Sequence, residues 1–401
     1  MIQYKNQIIL ILTILKYIFY RIKFMTIKTV SFIPLPSSIQ MAILLPTVRW
    51  TTMARSVIAT LVGIANSEVA VLIADNSENP EKHEFLKKIQ TLNPFIFIVT
   101  HEKNIGAFAN ILYLYDWCKN IPFCALMADD DWMSPTYYTD AFELLRHYPQ
   151  LTGAEVGNTL VDMQGDGQFQ TISQHTMQGQ TPLERIEKWN GTLLRVTMYN
   201  ASARAALEPA LTFYRNTPMN GYMLVEDLWE LSRLATGEFV SQRGSGCFIH
   251  YPTHEARTGN STERLYRLLH QEAGLSFEFI YFSALSTAVQ CAIFLLGNLS
   301  PIEHNEQRQF CAQQVFRHIF LDSFLPLFAS DYGRQTVLSL FAHHEKAMAG
   351  FLKFCQPPFS NNPVFDESII TWLIDVIEVF ENQTMPLLSE QFRAFVSSVL
   401  D

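Results

Sequence analysis

Phe123-Cys124-Ala125-Leu126-Met127-Ala128-Asp129-Asp130-Asp131-Trp132 is a short apolar run that stops at three consecutive carboxylates. The run suffices for one buried strand, and after Trp132-Met133-Ser134-Pro135 a helical pattern resumes at Thr136. Three adjacent Asp repel one another and stay ionised only beside a cation, basic side chains or open water. At the carboxyl end of a strand in an open α/β sheet they stand where ligands bind, beyond the strand tips. A divalent metal holding a phosphorylated ligand requires that placement, because Mg2+ or Mn2+ takes hard oxygen ligands and leaves positions for phosphate oxygens. A solvated turn capping the next helix accounts for the same residues. The surrounding chain decides between them.

Upstream, Ala42 to Leu45 reads as a strand ended by Pro46, and Thr51 to Ala65 places Val57, Ile58, Leu61, Val62 and Ala65 on one helical face. Val69 to Ala74 is a second strand, stopped by Asp75-Asn76-Ser77. Glu81 to Leu92 reads as helix, Phe95 to Val99 as strand, Ala107 to Lys119 as helix, and Tyr137 to His147 as the helix after the triple Asp. Strand and helix alternate four times, which predicts βαβ units: an α/β, Rossmann-like, mostly parallel sheet flanked by helices.

After Pro149 the order loosens. Glu155 to Asp162 and Gln168 to Ile172 read as strands around a Gln164-Gly165-Asp166-Gly167 turn. Leu183 to Trp189 and Ser202 to Leu207 read as short helices, Val225 to Ala235 as a helix stopped by Gly237, and Phe239-Val240 and Cys247 to Tyr251 as short strands. Beyond Glu263 the pattern is all-helical. Phe277 to Leu299 is long enough to cross a bilayer, but it lacks basic flanks and carries Glu278 and Gln290, so a buried helix or subunit interface is preferred. Met1 to Gln40 fits three readings: a weak membrane-surface anchor, a packed helix, or an extension upstream of the working protein. The last is favoured because a compact domain begins cleanly at Met41.

With 401 residues, 48% hydrophobic and 17% charged, the chain can bury a sizeable core. A net charge of −9 argues against a nucleic-acid partner. The six Cys form no C-x-x-C pair and read as buried thiols of a reducing compartment. Zinc does not fit.

Other candidate residues cluster at strand ends. Asp75 ends the second strand, on the same rim as Asp129 to Asp131, and suits either a backbone-bonding turn or an acceptor for a nucleotide base or ribose. In His101-Glu102-Lys103-Asn104-Ile105-Gly106, Gly106 allows close approach and Asn104 can cap a helix or touch a ligand. Glu226-Asp227 opens a helix, where the dipole favours acids; beside an acidic metal site such a carboxylate can also act as a general base. His254, in Tyr251-Pro252-Thr253-His254, could complete a metal shell, touch a pyrophosphate, or do neither.

Together these motifs resemble the GT-A glycosyltransferases, specifically glycosyltransferase family 2, over Met41 to about Glu263. Ile43-Leu44-Leu45-Pro46-Thr47 looks like the family's first strand and turn, Ile73-Ala74-Asp75-Asn76-Ser77 its nucleotide-contacting strand end, and Asn104-Ile105-Gly106 through Asn110 its N-x-G segment. Met127 to Pro135 is similar to its D-x-D region, Glu226-Asp227 to its "ED" helix, and Tyr251-Pro252-Thr253-His254 to its late segment. Asn76 departs from a frequent second Asp, and Pro252 from a common Arg.

The resemblance implies a GT-A domain over 41–263; the residue patterns on either side add an N-terminal extension over 1–40 and a helical C-terminal domain over 264–401. It implies an inverting, metal-dependent transfer from a UDP- or GDP-sugar. Pro46, Thr47, Asp75, Asn104, Gly106, Asp129 and Asp130 would bind the donor. Asp129, Asp131 and His254 would hold Mn2+ or Mg2+, with Asp130 and Asp131 as the alternative register. Asp227, with Glu226, would serve catalysis as base. Trp132, Trp229 and Tyr199 are stacking or core residues. The acceptor would be carbohydrate, lipid-linked or protein, in polysaccharide or other glycan synthesis. The helical tail would build the acceptor site, a homo-oligomer contact or a membrane-surface contact. A cytoplasmic location, or one at the inner face of the membrane, is expected. Two rivals remain: a non-catalytic scaffold on the same fold, and a sugar-phosphate nucleotidyltransferase. The nucleotidyltransferase needs a Gly-rich basic loop that Thr47-Val48-Arg49-Trp50 does not supply.

Overall fold

The computed structural model describes residues 32–162, 168–172, 176–190, 199–216, 225–250, 283–319 and 335. The chain divides into two units, Met1–Pro36 and Ser37–Asp401; of the first, residues 32–36 are described and are irregular. In the second, β1 (Met41–Thr47), β2 (Val69–Asp75), β3 (Ile96–Thr100) and β4 (Phe123–Leu126) alternate with α1 (Thr52–Ile64), α2 (Pro80–Leu92) and α3 (Ala107–Trp117). Their pairings, β1 with β2, β2 with β3 and β1 with β4, are all parallel, as the alternation predicts. The chain continues through β5 (Trp132–Met133), α4 (Pro135–His147), β6 (Leu151–Asp162), β7 (Phe169–Ile172) and α5 (Pro182–Asn190). Then follow β8 (Ala201–Ala203), α6 (Arg204–Asn216), α7 (Val225–Thr236), β9 (Glu238–His250), α8 (Ser283–Leu296) and α9 (Asn305–Ile319). Among the described residues this makes one nine-stranded sheet in the order β3-β2-β1-β4-β8-β6-β9-β5, with β7 beside β6.

Local chemistry sets the helix starts. Thr51 accepts from the Ala54 amide at the head of α1, and Asn79 accepts from the Lys82 amide (3.1 Å) with Pro80 in the first turn of α2. Met41, Ile43 and Leu45 of β1 point to one face, where Val57, Ile58 and Leu61 of α1 and Tyr138, Phe142 and Leu145 of α4 bury them. On the other side of the core, Trp229 of α7 is buried against Tyr115 of α3, ring centroids 5.4 Å apart. Trp229 is thus a core residue.

Two elements differ from the sequence reading. Ser202 to Leu207 is not one short helix: Ala201–Ala203 is a strand wedged between β4 and β6, and α6 starts at Arg204 and runs on through Pro209. Ladder bonds to two neighbours outweigh local helical pattern there. Phe239-Val240 and Cys247 onward are one strand, β9, because Ser241 and Gln242 pair with Glu155 and Val156 despite their loop-like composition. The ladder shifts register beside Gly157, whose φ of +139° and 2.7 Å approach of a would-be Cβ to the Gly246 carbonyl carbon exclude a side chain.

Of the apolar run after Phe277, α8 is described, and Ala288, Cys291, Ala292, Phe294 and Leu295 are buried. Phe294 meets Phe213 of α6 (5.8 Å), and His318 of α9 meets Trp189 of α5 (6.0 Å). The described helices past residue 264, α8 and α9, therefore pack on the α/β core, within the same unit. Among the described residues no helix is long and apolar enough to cross a membrane. Cys118, Cys124, Cys291 and Cys311 are buried free thiols and Cys247 is half-buried; Cys355 lies outside the described residues.

Candidate active site

The parallel pairings bring the carboxyl ends of β1, β2 and β4 onto one rim, and a buried polar network ties them together. Asp75, closing β2, is fully buried. Its Oδ1 accepts from Lys82 Nζ (2.9 Å) and the Ser77 amide (3.1 Å), and His83 Nε2 lies 3.2 Å from Oδ2. Lys82 is also fully buried and donates to Thr47 Oγ1 (2.8 Å) at the end of β1. Burial lowers its pKa from the usual lysine range, and the hydrogen bond and charge of Asp75 oppose that shift. Thr47 in turn donates to Asp129 Oδ2 (2.8 Å).

Asp129 is the best-held member of the acidic triplet. Its Oδ2 also accepts from the Val48 and Arg49 amides (3.0 Å each), and its Oδ1 takes Arg49 Nη1 at 2.7 Å. The same Nη1 lies 3.2 Å from Asp130 Oδ2. Asp129 thus joins the β1–α1 loop to the end of β4 with both oxygens. Asp131 is fully buried immediately before β5. The antiparallel register that pairs Trp132 with Ile249 and Met133 with Phe248 sets the last residues of β9 beside the start of β5, next to Asp131. His254 lies outside the described residues.

The β4 end is braced from below. Tyr138 of α4 donates to the Leu126 carbonyl (2.6 Å), and burial, then the charge of Asp131, pushes its hydroxyl pKa well up. Ser134 and Cys247 exchange two hydrogen bonds of 2.8 Å, one from the Cys247 amide to Ser134 Oγ and one from the Ser134 amide to the Cys247 carbonyl. Deeper, Glu155 is buried among the hydroxyls of Tyr137, Thr159 and Ser241, and burial raises its pKa.

Asn76, an amide at the end of β2, bridges the two loops beside it. Its Nδ2 donates to Asn104 Oδ1 (2.8 Å) while its Oδ1 accepts from the Ile105 amide (2.8 Å). An aspartate could do the second but not the first. Asn104 Oδ1 also accepts from the Gly106 amide, and Gly106 sits at φ 89°, ψ 154°, a conformation reserved for glycine. Asn110 fixes α3 to β2 by donating to the Ala74 carbonyl (2.9 Å).

Asp227, half-buried, and Glu226, exposed, open α7. Tyr214 of α6 packs both on Trp229 in the first turns of α7 (6.2 Å between centroids) and on Phe108 in the first turn of α3 (5.2 Å), and burial, then the charges of Cys291, Asp227 and Glu226, push its hydroxyl pKa well up. The start of α7 therefore reaches the same side of the sheet as the Asn104–Gly106 loop. Pro46 is half-buried within β1 beside Thr47. Tyr199 stacks on Phe248 (5.2 Å, 24°), and Trp132 is half-buried in β5.

Lys82, Arg49 and His83 were not singled out as site residues from sequence. A lysine in the first turn of a helix, against the dipole and just after an acidic strand end, was the available signal for Lys82. Arg49 gave none, since its partners lie 80 and 81 residues away.

A divalent cation suits this donor set in part. Hard carboxylate oxygens are present, and Mg2+ is commonly held by one or two carboxylates plus substrate phosphates. Among the described residues no group of three or more ligating side chains forms a ready-made cage. Asp129 gives both oxygens to protein donors, whereas Asp130, which meets Arg49 at 3.2 Å and keeps an edge in solvent, and the neighbouring Asp131 are the carboxylates that would hold a cation.

No protein-family model matches the chain, and no curated protein matches it. Among solved structures, S. aureus TarS 1-349 in complex with UDP-GlcNAc matches with a TM-score of 0.52 and 12% identity, over 89% of this chain and 92% of that one. A longer S. aureus TarS structure matches with a TM-score of 0.50 and 12% identity, over 88% of this chain and 55% of that one. The likeness shows the fold that the two share: a mixed α/β, Rossmann-like sheet with flanking helices.

Proposed function

We propose that the chain is a nucleotide-sugar-dependent glycosyltransferase of the GT-A type, close in mechanism to family 2, that transfers with inversion. The observation that carries this reading is the convergence of Thr47, Asp75 and Asp129–Asp131 on one strand-end rim, with the Glu226–Asp227 helix start on the same side of the sheet. The neighbour's complex with UDP-GlcNAc favours a UDP-sugar over a GDP-sugar as donor.

In this reading Asp130 and Asp131 would hold Mn2+ or Mg2+, which when bound offsets charge on the donor diphosphate. Pro46, Asn104 and Gly106 shape the donor's edge of the cleft. Asp75 acts as a positioning residue, its carboxylate fixing Lys82, Ser77 and the rim. Asp227 takes the proton of the acceptor hydroxyl as that oxygen bonds to the anomeric carbon. The bond from that carbon to the diphosphate breaks, and its electron pair leaves on the phosphate oxygen. Glu226 and His254 are assigned supporting roles at the acceptor and diphosphate ends. The acceptor, carbohydrate, lipid-linked or protein, is proposed from the resemblance, and any homo-oligomer or membrane-surface contact from the apolar pattern of the helical tail and of residues 1–40.

A non-catalytic reading draws on one observation: Asp75 and Asp129 both spend their carboxylates inside the protein. Calorimetry with UDP and GDP, each with and without Mn2+, followed by turnover of Asp227→Asn, separates the two. Metal-dependent UDP binding that Asp131→Ala abolishes, with turnover lost and binding kept in Asp227→Asn, supports the transferase. Folded protein that binds neither nucleotide refutes it.

A further inference from the structure

Arg49 meets the acidic triplet through both its backbone and its side chain. Its backbone amide already anchors the loop on Asp129, yet its guanidinium also reaches over both Asp129 (2.7 Å) and Asp130 (3.2 Å) while its side chain is 35% exposed. Asp129 would keep three donors without that guanidinium: Thr47 Oγ1 and the amides of Val48 and Arg49. Asp130, by contrast, is 21% exposed and is the carboxylate that Arg49 shares with solvent.

We propose that Arg49 is a positioning and affinity-determining residue for the donor diphosphate, acting as an internal cation that shares Asp130 with the divalent metal. This rests on the transferase reading above and names a residue and a regulation of that same site. Three carboxylates and one guanidinium leave two net negative charges on the rim, which a single divalent cation neutralises. Without Arg49 the rim carries three, attracting metal more strongly and repelling a diphosphate more strongly. Because metal and guanidinium both draw on Asp130, removing Arg49 moves two affinities in opposite directions. A residue that merely held the loop would move both the same way.

The test uses the full chain and three titrations by calorimetry: Mn2+ alone, UDP alone, and UDP with saturating Mn2+. Arg49→Gln is expected to bind Mn2+ alone roughly tenfold more tightly and UDP alone roughly ten- to a hundredfold more weakly, the range for losing a charge-assisted hydrogen bond. Added Mn2+ should recover part of the UDP loss. Arg49→Lys keeps the charge but not the fork, so its Mn2+ affinity should stay near wild type while its UDP affinity falls. Arg49→Lys carries the test if the glutamine variant does not fold. Equal shifts in both ligands, or no shift in either, overturn the proposal while leaving the transferase reading standing. Wild-type protein that binds neither UDP nor Mn2+ overturns both.

Discussion

Lys82→Met tests the buried network most directly. The substitution removes two hydrogen bonds, to Asp75 (2.9 Å) and to Thr47 (2.8 Å), and leaves the Asp75 carboxylate buried beside an apolar side chain. Removing one partner of a buried pair typically costs about 3–5 kcal/mol. Asp75 keeps the Ser77 amide and His83, which places the expectation near about 3 kcal/mol. A unit larger than about 250 residues shifts its melting temperature by no more than about 2–4 °C per kcal/mol, so a fall of roughly 6 °C is expected. Asp75→Asn alone should also destabilise, because it leaves the Lys82 ammonium buried. The double variant should recover about 1–3 kcal/mol relative to the sum of the singles, the coupling typical of contacting residues. Denaturant unfolding of all four proteins at pH 7.5 supplies the cycle. Strict additivity would refute the claim that Lys82 and Asp75 act as a pair. UDP affinity, measured in parallel, should fall in both single variants, because the network spaces the β1, β2 and β4 ends.

Three further outcomes follow from named contacts. Glu155→Gln should raise the melting temperature at pH 8 and do so less near pH 4.5. Since burial lifts the native carboxyl above its ordinary value, the native state binds more protons than the unfolded one across that window, and wild-type stability falls as pH rises through it; a pH series of melts that runs parallel for the two proteins would contradict this. Gly157→Ala should destabilise by about 1–3 kcal/mol or more through clash with Gly246 and a φ of +139°, whereas Gly106→Ala, with open space around it, should cost only backbone strain of about 1–3 kcal/mol; urea midpoints rank the two. Asn76→Asp should weaken UDP binding several-fold by facing Asn104 Oδ1 with a carboxylate, and Asn76→Asp with Asn104→Ala should lose little more than Asn76→Asp alone in the same titration.

The alternation of apolar runs with helical patterns between Met41 and His147 was enough to specify the parallel half of the sheet. Its strands are buried on both faces and its turns carry their own punctuation: Pro46, Asp75-Asn76-Ser77 and Asp129–Asp131. Those same turns marked the rim as the site. The mixed half, where β6 runs parallel to β9 and antiparallel to β7 and β8, was less legible. Ala201–Ala203 is a strand only because β4 and β6 flank it, and Ser241 and Gln242 carry β9 on only because Glu155 and Val156 of β6 pair with them. A short or polar segment has no period of its own to read. Which Asp does what was likewise decided in three dimensions. Sequence places three equivalent carboxylates in a row; the fold gives Asp129 to Thr47 and Arg49, exposes an edge of Asp130, and buries Asp131 before β5. Arg49 entered the site the same way, because partners 80 and 81 residues away leave no local pattern; Lys82, whose place in the first turn of α2 did leave a signal, reaches Thr47, 35 residues away, only when the sheet closes and brings the strand ends together.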